Sequence, residues 1–243
     1  MRILLVNPNT TRSMTEKAAV AARAVAGPMT EIEAATSLMG PASIEGHYDG
    51  ALALPGLLDE IRKGEAAGAQ AAIIACFDDT GLDAARAMAG IPIVGICESA
   101  LVTAGFLAQR FTVVTTLERS RVLIEDLAAR YGLGHRVKVR AADIPVLELE
   151  DEGSGALDKL RRQIERALEE DGAEAIVLGC AGMADLAYAL QQAYHVPVID
   201  GVSAAIKQAE ALIAQKLTTS KRGSYASPLP KNYTGAMSVF APE

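Results

Sequence analysis

Short apolar runs alternate along the chain with stretches in which apolar residues recur at helical spacing. The apolar runs predict eight strands, near residues 3–7, 31–36, 71–76, 92–96, 111–115, 136–141, 174–179 and 197–200. Helices are predicted between them, near 11–26, 49–64, 80–89, 99–109, 118–131, 156–170, 183–194 and 202–215. Two strands, 71–76 and 174–179, are apolar throughout, which is typical of parallel strands covered on both faces. The pattern therefore predicts an α/β fold of parallel sheets flanked by helices.

The same pattern occurs twice. "ILLVNPNT" at 3–10 matches "FTVVTTLE" at 111–118, and "IPIVGI" at 91–96 matches "VPVIDG" at 196–201. Cys76 and Cys180, described below, are a third matched pair. Three matched points in the same order predict two pseudo-symmetric lobes with a cleft between them. We expect residues 1–97 plus 201–243 to form the first lobe, with the last helix and tail packed back on it. Residues 98–200 would form the second lobe.

A cysteine ends an apolar strand in each lobe, Cys76 in "AAIIACFDDTGL" and Cys180 in "AIVLGCAGMADL". Ligands of open α/β sheets bind beyond the carboxyl ends of the strands. Two thiols facing one cleft from opposite sides could remove a proton from a carbon and return one on the other face. This inverts a stereocentre without a metal, flavin or pyridoxal phosphate, provided that a neighbouring carbonyl acidifies the C–H bond.

The protonation state of the thiols depends on their neighbours. A free thiol has a pKa of about 8.5, and a following helix N-terminus would lower it. Asp78 and Asp79 are acidic neighbours of Cys76, and a nearby carboxylate raises the pKa of a thiol. Either these two side chains point away from the thiol, or they bind NH groups of the substrate.

Candidate donors for a developing enolate lie in two matched loops. "NPNT" (residues 7–10) and "TT" (Thr115 and Thr116) offer amides, hydroxyls and backbone NH groups at helix starts. Gly182 would let the backbone approach a ligand closely. "NPNT" is also typical of a simple turn and helix cap, so that alternative stays open.

Packing is the other explanation for a buried cysteine. Packing is a sufficient explanation for Cys97, because the matched position in the other half is Val202 and not a cysteine. The paired placement of Cys76 and Cys180 favours a functional role. A metal site is not predicted, because the cysteines are far apart and the three histidines lack ligand spacing. The histidines are His47, His135 and His195.

Composition excludes several classes of function. A net charge of -7, an aromatic content of 4% and the absence of Trp argue against a nucleic-acid partner. No apolar run approaches the roughly 18 residues of a membrane span, and the first run stops at Val6, too short for a secretory signal. The three cysteines suggest no disulfide framework. The simplest interpretation is a reduced, cytoplasmic protein.

Several motifs together resemble the hydantoin racemases of the aspartate/glutamate racemase superfamily. They are "NPNT", "GPASIEGHYD", "ACFDD", "GIC", "VVTTLERS", "IVLGCAGM", "VPVIDGV" and "TSKRGSYA", and they cover nearly the whole chain. The resemblance implies cofactor-independent racemisation of 5-monosubstituted hydantoins, a small-molecule substrate and a homo-oligomer. It makes Cys76 and Cys180 the acid–base pair. The substrate ring would lie against Asn9, Thr10, Phe77, Thr115, Thr116, Ala181 and Gly182. Thr80 departs from the family pattern, in which we expect a proline.

Other functions fit the same residues. Allantoin is a hydantoin with a ureido group at C5, and allantoin racemases share both cysteine motifs. Decarboxylation is a weaker alternative, because the one-cysteine decarboxylases of the superfamily protonate from a single face. A non-catalytic protein that closes on a small molecule is the alternative from another class.

Overall fold

The computed structural model describes residues 1–242, with Glu152 described by its backbone alone. Eight strands form two four-stranded parallel sheets, which confirms the predicted fold class. The strands are β1 (Arg2–Asn7), β2 (Glu31–Thr36), β3 (Ala71–Ile74), β4 (Ile93–Gly95), β5 (Phe111–Thr115), β6 (Val137–Ala141), β7 (Ala175–Gly179) and β8 (Val198–Asp200). Each of the eight predicted strands is present.

The two sheets have the same topology. Their strand orders are β2-β1-β3-β4 and β6-β5-β7-β8. The strands matched by the sequence repeat, β1 with β5, β3 with β7 and β4 with β8, therefore hold equivalent positions. In each sheet the two central strands end side by side, with Val6 opposite Ile74 and Thr115 opposite Gly179. Cys76 and Cys180 thus follow equivalent central strands, as expected.

Within residues 1–242, eight α-helices connect and cover the strands. They are α1 (Arg12–Val25), α2 (His47–Ala66), α3 (Leu82–Met88), α4 (Ile96–Leu107), α5 (Glu118–Arg130), α6 (Ala156–Glu170), α7 (Ala187–Tyr194) and α8 (Gly201–Ala214). Short 3-10 turns at Val146–Glu150 and Ala181–Leu186 lie close to the ends of β6 and β7. The pattern of apolar residues did not predict these turns.

One apolar core joins the two sheets. Side chains of β1 and β3, such as Leu5 and Ile73, belong to the same buried cluster as Val113 of β5 and Val177 of β7. Helices α4 and α8 pack against each other in this cluster. Helix α8 also contacts β3, β4 and α1, while α4 contacts β7 and β8. The proposed lobe boundaries near residues 97 and 200 stay a prediction.

Two helix starts differ from prediction by three residues or more. Helix α4 begins at Ile96 rather than near residue 99, because a carboxylate from another loop, described below, accepts hydrogen bonds from its first NH groups. Helix α7 begins at Ala187 rather than near 183, since the chain after Cys180 forms 3-10 turns first.

The C-terminal segment lies along the first sheet before it becomes exposed. Thr219 donates to the carbonyl oxygen of Ile91 over 2.8 Å, and Lys221 donates to that of Arg86 over 2.7 Å. The Tyr225 hydroxyl donates to Asp83 over 2.9 Å. None of the helices within residues 1–242 combines the length and hydropathy needed to cross a membrane.

Candidate active site

A cavity lies between the sheets, where the central strands of both end. Cys76, after β3, and Cys180, after β7, both line it, so the fold brings the two matched thiols to one space. The other lining residues are Asn9, Met14, Ile44, Ala75, Phe77, Asp78, Thr115, Thr116, Ser120, Ile124, Val146, Gly179 and Ala181. Both cysteines are free and partly exposed, whereas Cys97 is buried.

The Cys76 thiol lies against a carboxylate. Its Sγ donates to Oδ1 of Asp78 over 2.8 Å. The same oxygen accepts from the backbone NH of Thr80 over 3.2 Å and from the Thr80 hydroxyl. Burial, and then the charge of Asp78, raise the pKa of the Cys76 thiol well above its ordinary value. A negative neighbour that accepts the thiol proton favours the protonated form of Cys76.

The Cys180 thiol has a different neighbour at the matched position. Asp78 comes two residues after Cys76, and Gly182 comes two residues after Cys180. The backbone NH of Gly182 and the ammonium of Lys17 both favour the Cys180 thiolate, but burial outweighs them and raises its pKa to about 11.

A backbone NH two residues further on lowers the pKa at both thiols, that of Asp78 at Cys76 and that of Gly182 at Cys180. The thiols differ in their charged neighbours. Cys76 faces the Asp78 carboxylate directly, whereas at Cys180 the charge of Lys17 opposes the more weakly acting charges of Glu150 and Asp78.

The expected lowering of the thiol pKa by helix N-termini is wrong in its net effect. At Cys76, burial and the charge of Asp78 raise the pKa by more than the backbone NH of Asp78 and the hydroxyl of Thr80 lower it. At Cys180 the NH of Gly182 acts in the expected direction, yet burial of the thiol costs more.

Asn9 lines the cavity, and hydrogen bonds hold its amide in one orientation. Its Oδ1 accepts from Asn7 Nδ2 over 2.8 Å and from the backbone NH of Thr11 over 2.9 Å. Its Nδ2 lies 3.5 Å from the thioether sulfur of Met14, a weak acceptor. Because the oxygen is occupied on the protein side, the amide NH2 group is the part of Asn9 that can serve a ligand.

The remaining expected site residues divide into two groups. Phe77, Thr115, Thr116 and Ala181 line the cavity. The hydroxyl of Thr115 donates to the carbonyl oxygen of Gly179 over 3.2 Å and so ties β5 to β7. Thr10 and Gly182 are not among the lining residues.

Thr10 is turned toward a distant loop. Its backbone NH and its hydroxyl both donate to the carbonyl oxygen of Pro41, over 2.9 and 3.3 Å. Gly182 lies close to both Cys180 and Leu149. A Cβ atom on Gly182 would lie 3.7 Å from the thiol sulfur of Cys180 and 3.2 Å from the side chain of Leu149.

Apolar residues that the sequence did not single out close the cavity. Ile44 comes from the loop before α2, and Val146 begins the turn Val146–Glu150. The two segments meet, since the backbone NH of Val146 donates to the Glu45 carboxylate over 3.1 Å. Neither segment follows a strand end directly, so the strand pattern gave no signal for them.

The two acidic residues after Cys76 face different ways. Asp78 lines the cavity, whereas Asp79 is buried and its carboxylate meets the start of α4. As for a metal centre, no cluster of three or more His, Cys, Asp and Glu side chains with suitable placement occurs in the part of the chain that the structure describes.

Comparisons with known proteins agree with this geometry. A sequence model of the Asp/Glu/hydantoin racemase family matches residues 3–209. A hydantoin racemase of Rhizobium meliloti is 52% identical over 236 residues, which are 97% of this chain and 98% of the relative. One from Pseudomonas sp. (strain NS671) is 46% identical over 241 residues, 99% of this chain and 97% of the relative. The structure of an allantoin racemase from Klebsiella pneumoniae matches with a TM-score of 0.97 at 47% identity, covering 100% of both chains.

Proposed function

Because the chain belongs to the Asp/Glu/hydantoin racemase family and is a racemase, we propose that it racemises 5-monosubstituted hydantoins by proton transfer at C5. One cysteine thiolate takes the C5 proton, and the electron pair moves into the neighbouring ring carbonyl as an enolate. The thiol on the opposite face then gives its proton to C5. Each turnover leaves the two cysteines with exchanged protonation states.

The observation that carries this proposal is the placement of two thiols at one cavity. Cys76 and Cys180 follow equivalent central strands and line the same space. The asymmetry of their neighbours suits the chemistry, which needs one acid and one base at a time. In the reacting form, which has lost one proton from the pair, we assign the thiol to Cys76, beside Asp78, and the thiolate to Cys180, beside Lys17.

Donors around the cavity support a carbonyl-stabilised intermediate. Asn9 and Thr116 both line the cavity, and the Asn9 oxygen is already used within the protein, which leaves its NH2 group for a ligand. A donor aimed at a developing enolate oxygen stabilises the transition state more than the ground state. The apolar residues Ile44 and Val146 limit water at the reacting carbon.

Allantoin is the second candidate substrate. The relatives named hydantoin racemase and the solved allantoin racemase resemble this chain at comparable identity. Both substrates present the same ring and the same acidic C–H. The ratio of kcat/KM for a 5-alkyl hydantoin to that for allantoin decides between them, and a ratio above one supports our assignment.

The mechanism is tested with an enantiopure 5-alkyl hydantoin in D2O. Optical rotation follows inversion, and NMR follows deuterium at C5. We expect wild-type protein to invert and to incorporate deuterium, whereas Cys76→Ser and Cys180→Ser lose inversion. Cys97→Ala is the matched control, because this cysteine is buried away from the cavity, and we expect it to invert like wild type.

Two outcomes would contradict the proposal. Wild-type inversion by either Ser variant would show that two-thiol chemistry is not used. Binding of hydantoins and allantoin by the wild-type protein with neither inversion nor deuterium uptake would favour a non-catalytic binding protein.

A further inference from the structure

Asp79 is a buried carboxylate that joins three separate parts of the molecule. It is 5% exposed, and its backbone is left-handed, with φ of 46°. Oδ1 accepts from the backbone NH of Cys97 over 3.0 Å, and Oδ2 accepts from that of Glu98 over 2.9 Å. Oδ2 also accepts from the hydroxyl of Tyr131 over 2.7 Å. A non-glycine residue keeps such a backbone conformation only where its surroundings hold it there.

In the second half of the chain, the first NH groups of the equivalent helix are capped by a residue adjacent in sequence. Helix α8, the counterpart of α4, is capped by the residue directly before it, as Asp200 Oδ1 accepts from the NH of Ser203 over 2.7 Å. In the repeat "IPIVGI"/"VPVIDG", the position of Asp200 is taken by Gly95 in the first half. The capping carboxylate of α4 therefore comes from another loop.

Gly95 makes room for that carboxylate. A Cβ atom on Gly95 would lie 2.3 Å from Asp79 Oδ1 and 2.5 Å from its Cγ, so no larger residue fits while Asp79 holds its place. In the first half of the chain, the capping carboxylate is therefore supplied by the Cys76 loop and not by the residue directly before the helix. This arrangement fixes the loop "CFDDTG" to the first turn of α4.

The anchor exists on one side only. The residue that matches Asp79 after Cys180 is Met183, a fully buried apolar side chain. In addition, Tyr131 directly follows α5, which packs on the second sheet. Its hydroxyl therefore ties the Cys76 loop to the opposite half of the cavity, where Cys180 lies.

We propose that Asp79, held by Tyr131 and by the start of α4, is a positioning residue for Cys76 and not for Cys180. This inference rests on the proposed two-thiol racemisation. Asp79 does not touch the cavity; it sets where the Cys76 sulfur stands relative to C5. A displacement on the order of 1 Å at a reacting group can cost about a hundredfold in rate.

The test uses Tyr131→Phe and Asp79→Asn in D2O with each enantiomer of a 5-alkyl hydantoin. Asn suits the left-handed backbone at position 79 but cannot accept from all three donors. Tyr194→Phe is the matched control, since its hydroxyl also donates to a carboxylate, Glu165 at 3.1 Å, on the surface of the second half. The Cys76→Ser variant identifies the enantiomer that Cys180 deprotonates, because only that enantiomer still exchanges its C5 proton for deuterium in this variant.

For the enantiomer that Cys180 deprotonates, we expect Tyr131→Phe to lower the rate of inversion about tenfold, because Cys76, which must return the proton, is partly misplaced. Deuterium exchange with retention persists, because Cys180 alone carries it out. The ratio of exchange to inversion therefore rises. For the other enantiomer, exchange and inversion fall together. Asp79→Asn should show the same asymmetry with a larger loss, and Tyr194→Phe should match wild type.

A general structural role would lower exchange equally for both enantiomers, and that result, or wild-type behaviour of Tyr131→Phe, would overturn the inference. If Asp79→Asn does not fold, Tyr131→Phe alone decides. Failure of the proposed function has a different signature, because Cys76→Ser would then keep wild-type inversion.

Discussion

The amide of Asn9 is held in one orientation, and this makes its contribution testable at the scale of a single residue. Its oxygen is used by Asn7 and Thr11, so the NH2 group is the part of the amide left for a ligand. We expect Asn9→Ala to lower kcat for inversion about a hundredfold, the typical loss of one enolate-stabilising donor, with a smaller change in KM. Steady-state polarimetry measures both constants.

The isosteric change Asn9→Asp separates the donor from the fold. The carboxylate can still accept from Asn7 and Thr11, but it offers no NH toward an enolate. We expect an activity loss at least as large as for Asn9→Ala, and urea denaturation checks that the variant is folded. Activity near the wild-type level in Asn9→Asp would show that Asn9 is only part of the turn.

Sequence motifs indicate which loops matter but not which side chains turn inward. "NPNT" points equally to Asn9 and Thr10, yet only Asn9 lines the cavity. Thr10 is held away by the carbonyl oxygen of Pro41, about thirty residues further along the chain. Likewise, the hydrogen bond from Cys76 to Asp78 depends on the torsions of a loop that no periodicity describes.

At the scale of elements, the first residues of α4 and α8 pack closely against each other. A Cβ atom on Gly201 would lie 2.5 Å from the carbonyl oxygen of Ile96 and 2.9 Å from its Cβ. These atoms belong to helix starts that cannot move independently. We expect Gly201→Ala to lower the free energy of unfolding by about 1–3 kcal/mol, as overpacking does, measured by urea denaturation.

Gly105 in α4 is the control for this substitution. Its nearest neighbour would be the flexible side chain of Arg136, at 3.4 Å from the added Cβ. Here the helix propensity of alanine dominates, and Gly105→Ala should stabilise the protein by about 0.5–1 kcal/mol. Equal effects of the two substitutions would contradict the packing argument.

Helix boundaries were predictable where the signals are local. The amphipathic pattern at 156–170 matches α6 at both ends, and Gly172 follows it with φ of 62°. Helix α4 starts earlier than its pattern indicates, because Asp79 caps it from a distance of some twenty residues in sequence. Such a cap leaves no mark in the helix itself, and near it only the Gly95 that precedes it.

At the scale of the whole molecule, the internal repeat predicted the equivalence of the sheets but not the contacts across the cleft. Matched apolar runs suffice to place β1 with β5 and β3 with β7. The bond from Val146 to Glu45 and that from Tyr131 to Asp79 depend on how the halves meet. The repeat pairs positions of the two halves, and it gives no signal for contacts that run from one half to the other.

The pseudo-symmetric fold places three thiols in three environments, and their alkylation rates should report this. Iodoacetamide reacts with thiolates. We expect Cys180 to be alkylated first, Cys76 more slowly because Asp78 keeps it protonated, and Cys97 last because it is fully buried. Arg86, Arg110 and Arg166 separate the three cysteines into different tryptic peptides for mass spectrometry.

The pH dependence follows from the raised pKa of Cys180. A thiol with a pKa of about 11 is mostly protonated near neutrality, and its thiolate fraction rises with pH. Its alkylation rate should therefore rise about tenfold per pH unit from pH 8 to 10. Asp78→Asn removes the charge beside Cys76 and should bring the rate at Cys76 toward that at Cys180. If Cys76 reacts first in the wild-type protein, or if Asp78→Asn leaves its rate unchanged, then the carboxylate does not set the difference between the two halves of the site.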